Sequence, residues 1–534
     1  MPPSMSSGTY VFKGDLGFNS TDKNFAVIKT EAHVNVPFEA ALEKAGYGKF
    51  QYLLFLLVGC SVSSMGMETI VVSIVIPAAR CDFDISSKDA GYLSAFPQLG
   101  TIIGAFLWGT LADIYGRKWI YVMTMLSGGL SSLLSSFAPN FIIFMVFRII
   151  SAVGLAGILS VCLAYLAEFQ PIKLKEKAVS WMEFWWSVGI ILSPCLAWAI
   201  IPTNLRFESE YFNFASWNLY VATNASVMIM LGFIAMGFPE SPKYYEDIGE
   251  REKAIEVLRY VYSVNTGCHQ SFFMCDLMEE KGISVISTNN NPQLAKPKRT
   301  FQSIFYDMKT QTKLLFVKPH FLNISLVGII SFGVTGVYYT YMLWFPELFS
   351  RFNTFEHQHP GQTTSMCEVA SIFVETTNKC RNEVDPEIFK NSVIIGLSSI
   401  PTSLWLSMCI NRLGCKFFLL FCMGVAGLSC LALYFVTSSF QNLILSCFLG
   451  AFASISTMAM FCSLVDLFPS QICAMANGVC LSLGKVGTLV ASLFFGYLID
   501  YNCAIPIFLF ATIMFCCAVL AWFLPLKKRP MTDE

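Results

Sequence analysis

The stretch GTLADIYGRK (residues 109–118) ends one long apolar run, 91–112, and leads directly into another, 119–137. Three charges, Asp113, Arg117 and Lys118, gather within six residues, and Gly116 sits among them. Glycine permits a tight turn that other residues resist, and basic residues collect at the cytoplasmic ends of membrane spans. The stretch therefore reads as the polar bend of a helical hairpin set in a membrane. A second bend, NRLGCK (411–416), places Gly414 298 residues after Gly116. Glu168-x-x-Pro171-x-x-x-Lys175 and Asp466-x-x-Pro469-x-x-x-Cys473 share that offset of 298. Several elements on one offset indicate a duplicated unit, and repeated halves around a midplane site are the plan of many secondary transporters.

Composition agrees. Among the 534 residues, hydrophobic side chains make up 55% and charged ones 13%, with a mean hydropathy of +0.57. A soluble domain carries roughly 25% charge, so this chain lacks the charge to cover a water-facing surface. A net charge of −1 offers no basic field, which argues against a nucleic-acid partner. Nothing polar through Gln51 resembles a secretory leader. Most of the 19 cysteines lie in apolar runs, where they act as small core residues. No CxxC pair suggests a metal site.

A bilayer core takes about 20 apolar residues per helix. Twelve segments fit: 52–77, 91–112, 119–137, 141–166, 179–201, 218–238, 321–346, 391–410, 417–437, 442–464, 475–498 and 503–524. The expected fold is all-α, with two six-helix repeats. An N-terminal tail (1–50) precedes the first bundle (51–238). A linker with amphipathic helices (239–320) separates it from the second bundle (321–524), and a short tail follows (525–534). With the N-terminus inside, 26 of the 35 Lys and Arg fall in cytoplasmic segments, seven fall outside and two lie in spans. Both termini are therefore expected in the cytoplasm. In the linker, EREKAIEVLRYVY (250–262) repeats Ile255, Leu258, Val261 and Tyr262 at helical spacing. The outside loop 351–390 holds Cys367 and Cys380, either a disulfide or two free thiols according to compartment.

Ionisable groups deep in spans are expensive and usually functional. Three stand out: Glu68, Arg148 and Glu183; Lys485, in span eleven, lies nearer the cytoplasmic end. Glu68 and Arg148 lie at similar depth in spans one and four, so a pair is feasible. It is either a proton-coupling or substrate-binding acid with its tuning partner, or a static ion pair. Aromatics gather in span five (Trp181, Phe184, Trp185, Trp186) and span seven (Tyr338, Tyr339, Tyr341, Trp344), where rings and phenols could bind a ligand. Tyr338 and Tyr341 share a helix face, and Trp185, Tyr338 and Tyr341 are the candidate contacts. None of the five histidines lies well inside a span, which removes most histidine chemistry. Gly478 to Lys485 is one residue too long for a phosphate loop, and Val486 stands where Ser or Thr is needed. No cofactor and no enzymatic activity are expected.

Over about residues 45–525 the chain resembles the major facilitator superfamily, whose loop signature between helices two and three GTLADIYGRK matches. FPESPKYY (238–245) and EFQPIKLK are similar to elements of its sugar and organic-ion porter branch. GKFQ, Gly66-Met67-Glu68 and PESPKYYEDIGEREKAIEVL look most like the synaptic vesicle glycoprotein 2 family and its vesicle-protein-related relatives. The resemblance implies alternating access by a monomer. It implies gating roles for Gly109, Asp113, Gly116, Arg117, Lys118, Glu168, Lys175, Arg412 and Asp466, with Gly109 allowing close helix approach. The first-loop cluster would latch the halves and break on inward opening; the alternative is a basic anchor with no switching role. Several positions depart from the pattern: Met65 replaces an aspartate, Cys473 an arginine and Asn411 an aspartate, and loop 351–390 is short. The expected activity is transport of a small solute (sugar, organic cation or organic anion), with protons as candidate coupling ion, in a plasma or vesicle membrane. The alternative is a non-transporting vesicle-membrane relative acting as receptor or scaffold.

Overall fold

The computed structural model describes residues 34–526 apart from 172–173, 176–177, 180, 204, 210–211, 274, 278–305, 307–308, 311–312, 314, 319, 359–384 and 469; some further side chains, those of Asp466 and Cys473 included, also lie outside it. The long helices are α1 (Lys49–Ala78), α2 (Ser87–Tyr115), α3 (Arg117–Ser135), α4 (Phe141–Glu168, with a π turn at Ile158–Cys162), α5 (Met182–Ile200) and α6 (Ser216–Ala235) in the first half. The second half holds α7 (His320–Gln358), α8 (Glu387–Leu413), α9 (Cys415–Ala432), α10 (Ser439–Leu467), α11 (Ser470–Tyr501) and α12 (Ala504–Trp522). They correspond one to one with the twelve expected spans.

Eleven of them are long and apolar enough to cross a membrane, and α3 is the exception. It opens with Arg117 and Lys118, and its later turns carry Ser127, Gly128, Gly129, Ser131, Ser132 and Ser135. These polar residues are spent inside the bundle. Ser131 and Ser135 donate to carbonyls of their own helix, so their hydroxyls are satisfied without water. Gly128 lies against Gly154 of α4, which lets the two backbones approach closely.

The two bends have one geometry. Gly116 has φ 104° and ψ 157°, and Gly414 has φ 80° and ψ 155°. A side chain would strain both, so the duplication legible in sequence is also a duplication of backbone shape.

A cap covers one end of the first half. The helix Phe38–Lys44 and the linker helix Arg251–Thr266 pack beneath α1, joined by a parallel pairing of β1 (Val34–Val36) with the linker strand Cys275–Leu277. Ala254, Val257, Leu258 and Val261 are buried there, while Ile255 and Tyr262 are half-buried. The buried face is thus turned slightly from the expected one. Asn265 bolts the cap on: its Oδ1 accepts from Phe50 N at 3.0 Å, and its Nδ2 donates to Gly46 O at 2.8 Å and Gln51 Oε1 at 2.9 Å. This end is the linker face. At the opposite face a hairpin, Arg206–Ser209 with Phe212–Ala215, links α5 to α6.

Close helix contact depends on single glycines. Gly189 of α5 lies against the Ser63 backbone of α1, and a Cβ there would overlap the Ser63 carbonyl. Gly189→Val is expected to cost at least about 1–3 kcal/mol, the usual range for overpacking, and to lower the detergent melting temperature. Gly424→Ala, in open space, is expected to leave it unchanged; equal melting curves for both variants would refute the seam.

Candidate functional site

Four polar clusters mark the fold. The first is at the centre of the first half. Arg148 Nη1 donates to Glu68 Oε2 at 2.9 Å and to Ser132 Oγ at 2.9 Å, and its Nη2 donates to the Glu68 carbonyl at 2.9 Å. The Ser132 hydroxyl reaches Oε1 at 3.0 Å and Oε2 at 2.9 Å. The Glu68 and Arg148 side chains are 0% and 3% exposed. Three helices thus supply one closed charge system, with Ser132 a member that no charge-based reading would find.

The second cluster is a pocket lined by Ile190 of α5, Tyr338 and Tyr341 of α7, Ser399 of α8 and Ala453 of α10. It lies between the halves. Tyr338 and Tyr341 both line it, and the Tyr341 hydroxyl is buried without a hydrogen-bond partner. Glu183 and Trp186 precede Ile190 by seven and four residues, the spacing of one helix face, and Trp186 reaches the Tyr338 hydroxyl. Lys485 Nζ sits 3.8 Å from the centre of the Tyr339 ring. Trp185 is elsewhere: its ring lies over Gly59 and edge-on to Phe55, in the seam with α1. The next residue, Trp186, is the one that reaches Tyr338, because a step of one position turns a helix by about 100°.

The third cluster closes the opposite face. Arg80, just beyond α1, pairs with Glu347 of α7 at 2.6 Å. Arg351 pairs with Glu347 at 2.8 Å and with Asp500 of α11 at 3.1 Å, and donates to Ser87 of α2 at 2.7 Å. Glu347 and Arg351 are 1% and 2% exposed. Here the halves are tied together, and Gly91 of α2 meets Gly496 of α11 backbone to backbone. Sequence analysis places Arg351 in an outside loop; α7 instead continues to Gln358, because its charges find partners on α11 and α2. Cys81 and Cys503 are each disulfide-bonded, while Cys367 and Cys380 lie outside the described residues.

The fourth cluster is at the linker face, wholly within the first half. Arg117 bonds Asp113 at 2.5 Å and Glu168 at 3.1 Å. Glu240 accepts from the Lys118 and Ser241 backbone N–H groups at 2.8 and 2.9 Å. Burial raises its carboxyl above the usual range despite those bonds. Lys118 stands over the Trp119 ring at 5.3 Å. Lys175 and Arg412 are exposed, with no ion pair among the described residues; Glu168 takes Arg117 in place of Lys175. The Asp466 side chain lies outside the described residues. Gly109 does not mediate a close approach here: no atom comes within 4 Å of its would-be side chain, and Gly478 on α11 is equally open. The Gly91–Gly496 contact closes one end of α2 and α11, while Gly109 and Gly478, toward the other end, have open space beside them. Among the described residues, no group of three or more His, Cys, Asp or Glu could hold a metal.

The family model described as Major Facilitator Superfamily matches residues 56–373 and 391–534. Human synaptic vesicle glycoprotein 2B is 27% identical over 349 residues, 63% of this chain and 51% of that protein. Mouse synaptic vesicle glycoprotein 2C is 24% identical over 91% of this chain and 80% of its own length. Among solved structures, the partially occluded inward-open xylose transporter XylE from E. coli aligns over 89% of this chain and 100% of its own, with TM-score 0.62 and 15% identity. A D-xylose-proton symporter aligns over 90% and 100%, with TM-score 0.61 and 15% identity.

Arg80→Gln removes the ion pair that crosses the halves, while Arg351 still neutralises Glu347. Bonds to charged groups contribute about 1.5–3 kcal/mol, so the opposite face is expected to open roughly 10- to 150-fold more often. The measure is alkylation of a pocket cysteine, Ser399→Cys, by an impermeant maleimide applied to that face. An unchanged rate would show that Arg80 does not hold the face shut.

Proposed function

Because the chain belongs to the major facilitator superfamily, we propose that it is a secondary active transporter moving a small organic solute, a sugar or an organic ion, by alternating access. The carrying observation is the pocket between the halves, closed toward one face by the Arg80–Glu347–Arg351–Asp500 network, with open space beside Gly109 of α2 and Gly478 of α11 toward the other. The linker face is cytoplasmic in this reading. The bias of Lys and Arg supports that, and so do the disulfides of Cys81 and Cys503, which belong to an oxidising space. The conformation is then inward-facing.

The Asp113–Arg117–Glu168 cluster acts on the first half alone in this state. Its pairs stay made while the linker face is open, so inward opening does not break them. The cluster holds α2, α3 and α4 as one body, and latching would come from a surface presented to α11 in the outward-facing state.

Glu68 is the proposed proton-coupling acid. A buried carboxylate beside an arginine is stable only while the pair is intact. Protonation of Glu68 would free Arg148 and loosen the joint of α1, α3 and α4. In the inward-facing state Glu68 has no path to water, so proton exchange belongs to another state of the cycle. The relatives named for synaptic vesicles, together with Met65 and Cys473 at the departing positions, support a second reading: a vesicle-membrane relative that has lost transport.

Thermal stability against a metabolite panel at pH 5.5 and 7.5, followed by flux in liposomes, separates the two. A solute at 100 times its Kd stabilises by about 2.7 kcal/mol, and proton-coupled uptake should rise with an inward proton gradient. Glu68→Gln with Arg148→Gln, which leaves no lone charge, is expected to abolish the pH dependence while keeping solute exchange. Retained pH dependence would remove Glu68 from coupling; a folded protein without ligand or flux would favour the non-transporting reading.

A further inference from the structure

The chain enters α7 through a basic stretch that the site at the centre of the molecule does not use. Tyr306, Lys309, Thr310, Lys313 and Leu315 are helical, and the Thr310 hydroxyl donates to the Tyr306 carbonyl at 2.9 Å. At about 100° per residue, Tyr306, Lys309, Thr310 and Lys313 fall on one side of that turn and Leu315 on the other. Leu315 is fully buried in the hydrophobic core, and the other four are exposed. A bend follows, in which Phe316 N donates to the Lys313 carbonyl at 3.2 Å and the Val317 carbonyl accepts from His320 N at 3.0 Å. Phe316, Val317 and Lys318 are exposed on it.

Two kinds of surface meet here. The Phe316 ring lies 6.4 Å from that of Phe321 on α7, and Phe321 and Leu322 are exposed in turn. The apolar outer surface of α7 therefore continues onto Phe316 and Val317. Around it stand Lys309, Lys313 and Lys318, which have no ion pair among the described residues. From 296 to 318 the sequence holds six Lys and Arg and one acidic residue, Asp307, in a chain of net charge −1. The polar layer of a bilayer is about 5–7 Å deep on each side. Lys318 stands two residues before α7 begins, so the bend lies in that layer. Basic side chains beside exposed apolar ones at this depth match an anionic lipid surface.

We propose that Lys309, Lys313 and Lys318 bind the headgroup of an anionic phospholipid, with Phe316 and Val317 set against its acyl chains. A phosphocholine headgroup brings its own cation and leaves the three ammonium groups without a counter-charge. A soluble phosphate meets the lysines and leaves the two apolar side chains in water. The inference rests on the cytoplasmic placement of the linker face, because that leaflet carries the anionic lipid; it holds whether or not the chain transports. It also gives the two halves different supports at this face. The entry to α1 is held by the cap through Asn265, and the entry to α7 is held by the leaflet.

The test is lipid binding by the purified full chain in detergent, read as a Kd by microscale thermophoresis. The probes are dioctanoyl phosphatidylserine, dioctanoyl phosphatidylcholine, glycerophosphoserine as the headgroup without chains, and inorganic phosphate. Phosphatidylserine is expected to bind at least tenfold more tightly than phosphatidylcholine. Each of Lys309→Gln, Lys313→Gln and Lys318→Gln should weaken it roughly fivefold, and the triple variant should lose the preference. The same three lysines changed to Arg should keep it, and so should Lys390→Gln, exposed at the opposite face. Equal affinity for the two lipids, or a preference that survives the triple Gln variant, would overturn the proposal. Loss of the preference in the triple Arg variant as well would also overturn it, since charge would then not be the cause. Glycerophosphoserine or phosphate bound as tightly as the lipid would overturn it in favour of a site for a free anion.

Discussion

A charge inside a bilayer must be neutralised by the protein, because no water is there to do it. That constraint organises this chain. Within the first half it draws α1, α3 and α4 together around Glu68 and Arg148. At the non-linker face it ties α7, α11, α2 and the end of α1 around Arg351 and Glu347. The first system is internal to one half and can persist through any relative motion of the halves. The second spans both and must break when that face opens. The same physics therefore yields one joint within a half and one between the halves, and only their placement relative to the pseudo-repeat distinguishes them.

The fold was largely legible because its signals are long. Apolar runs, the bend at Gly116 and its echo at Gly414 each read correctly from sequence, and both glycines adopt the positive φ that such bends need. The pairing of Glu68 with Arg148 reads from sequence as feasible, from similar depth in two spans that the family resemblance places in one half. Other features resisted because their cause is tertiary. Nothing local marks Ser132 as a partner of a buried carboxylate. Arg351 looked like a loop residue because the apolar run ends before it, yet α7 continues since Glu347 lies one turn back and Asp500 lies across the seam. Trp185 and Trp186 were indistinguishable by composition, and the helix turn sends one to α1 and the other to the pocket. Glu240 was visible only as part of a signature; its task of capping the Lys118 backbone depends on the chain returning to α3.

The halves are alike in backbone and unlike in electrostatics. The first carries Asp113–Arg117–Glu168, Glu240 beneath the bend and a cap bolted by Asn265. At the matching bend of the second half Asn411 replaces the aspartate, Arg412 is exposed, and Lys416 donates to the Leu524 carbonyl instead of a carboxylate. Ion pairs with good geometry and partial burial resist deformation more than exposed side chains do. The linker end of the first half is thus the stiffer body, and the cap adds mass to it.

That asymmetry bears on how the halves can move. If both ends were equally stiff, motion would be a symmetric rocking about the pocket. Here Glu183 sits on α5 of the first half, whereas Lys485 rides on α11, which has open space beside Gly478 and is pinned at Gly496 and Asp500. Rotation about that pinned end displaces Lys485 relative to Glu183 while leaving Glu68 and Arg148 undisturbed.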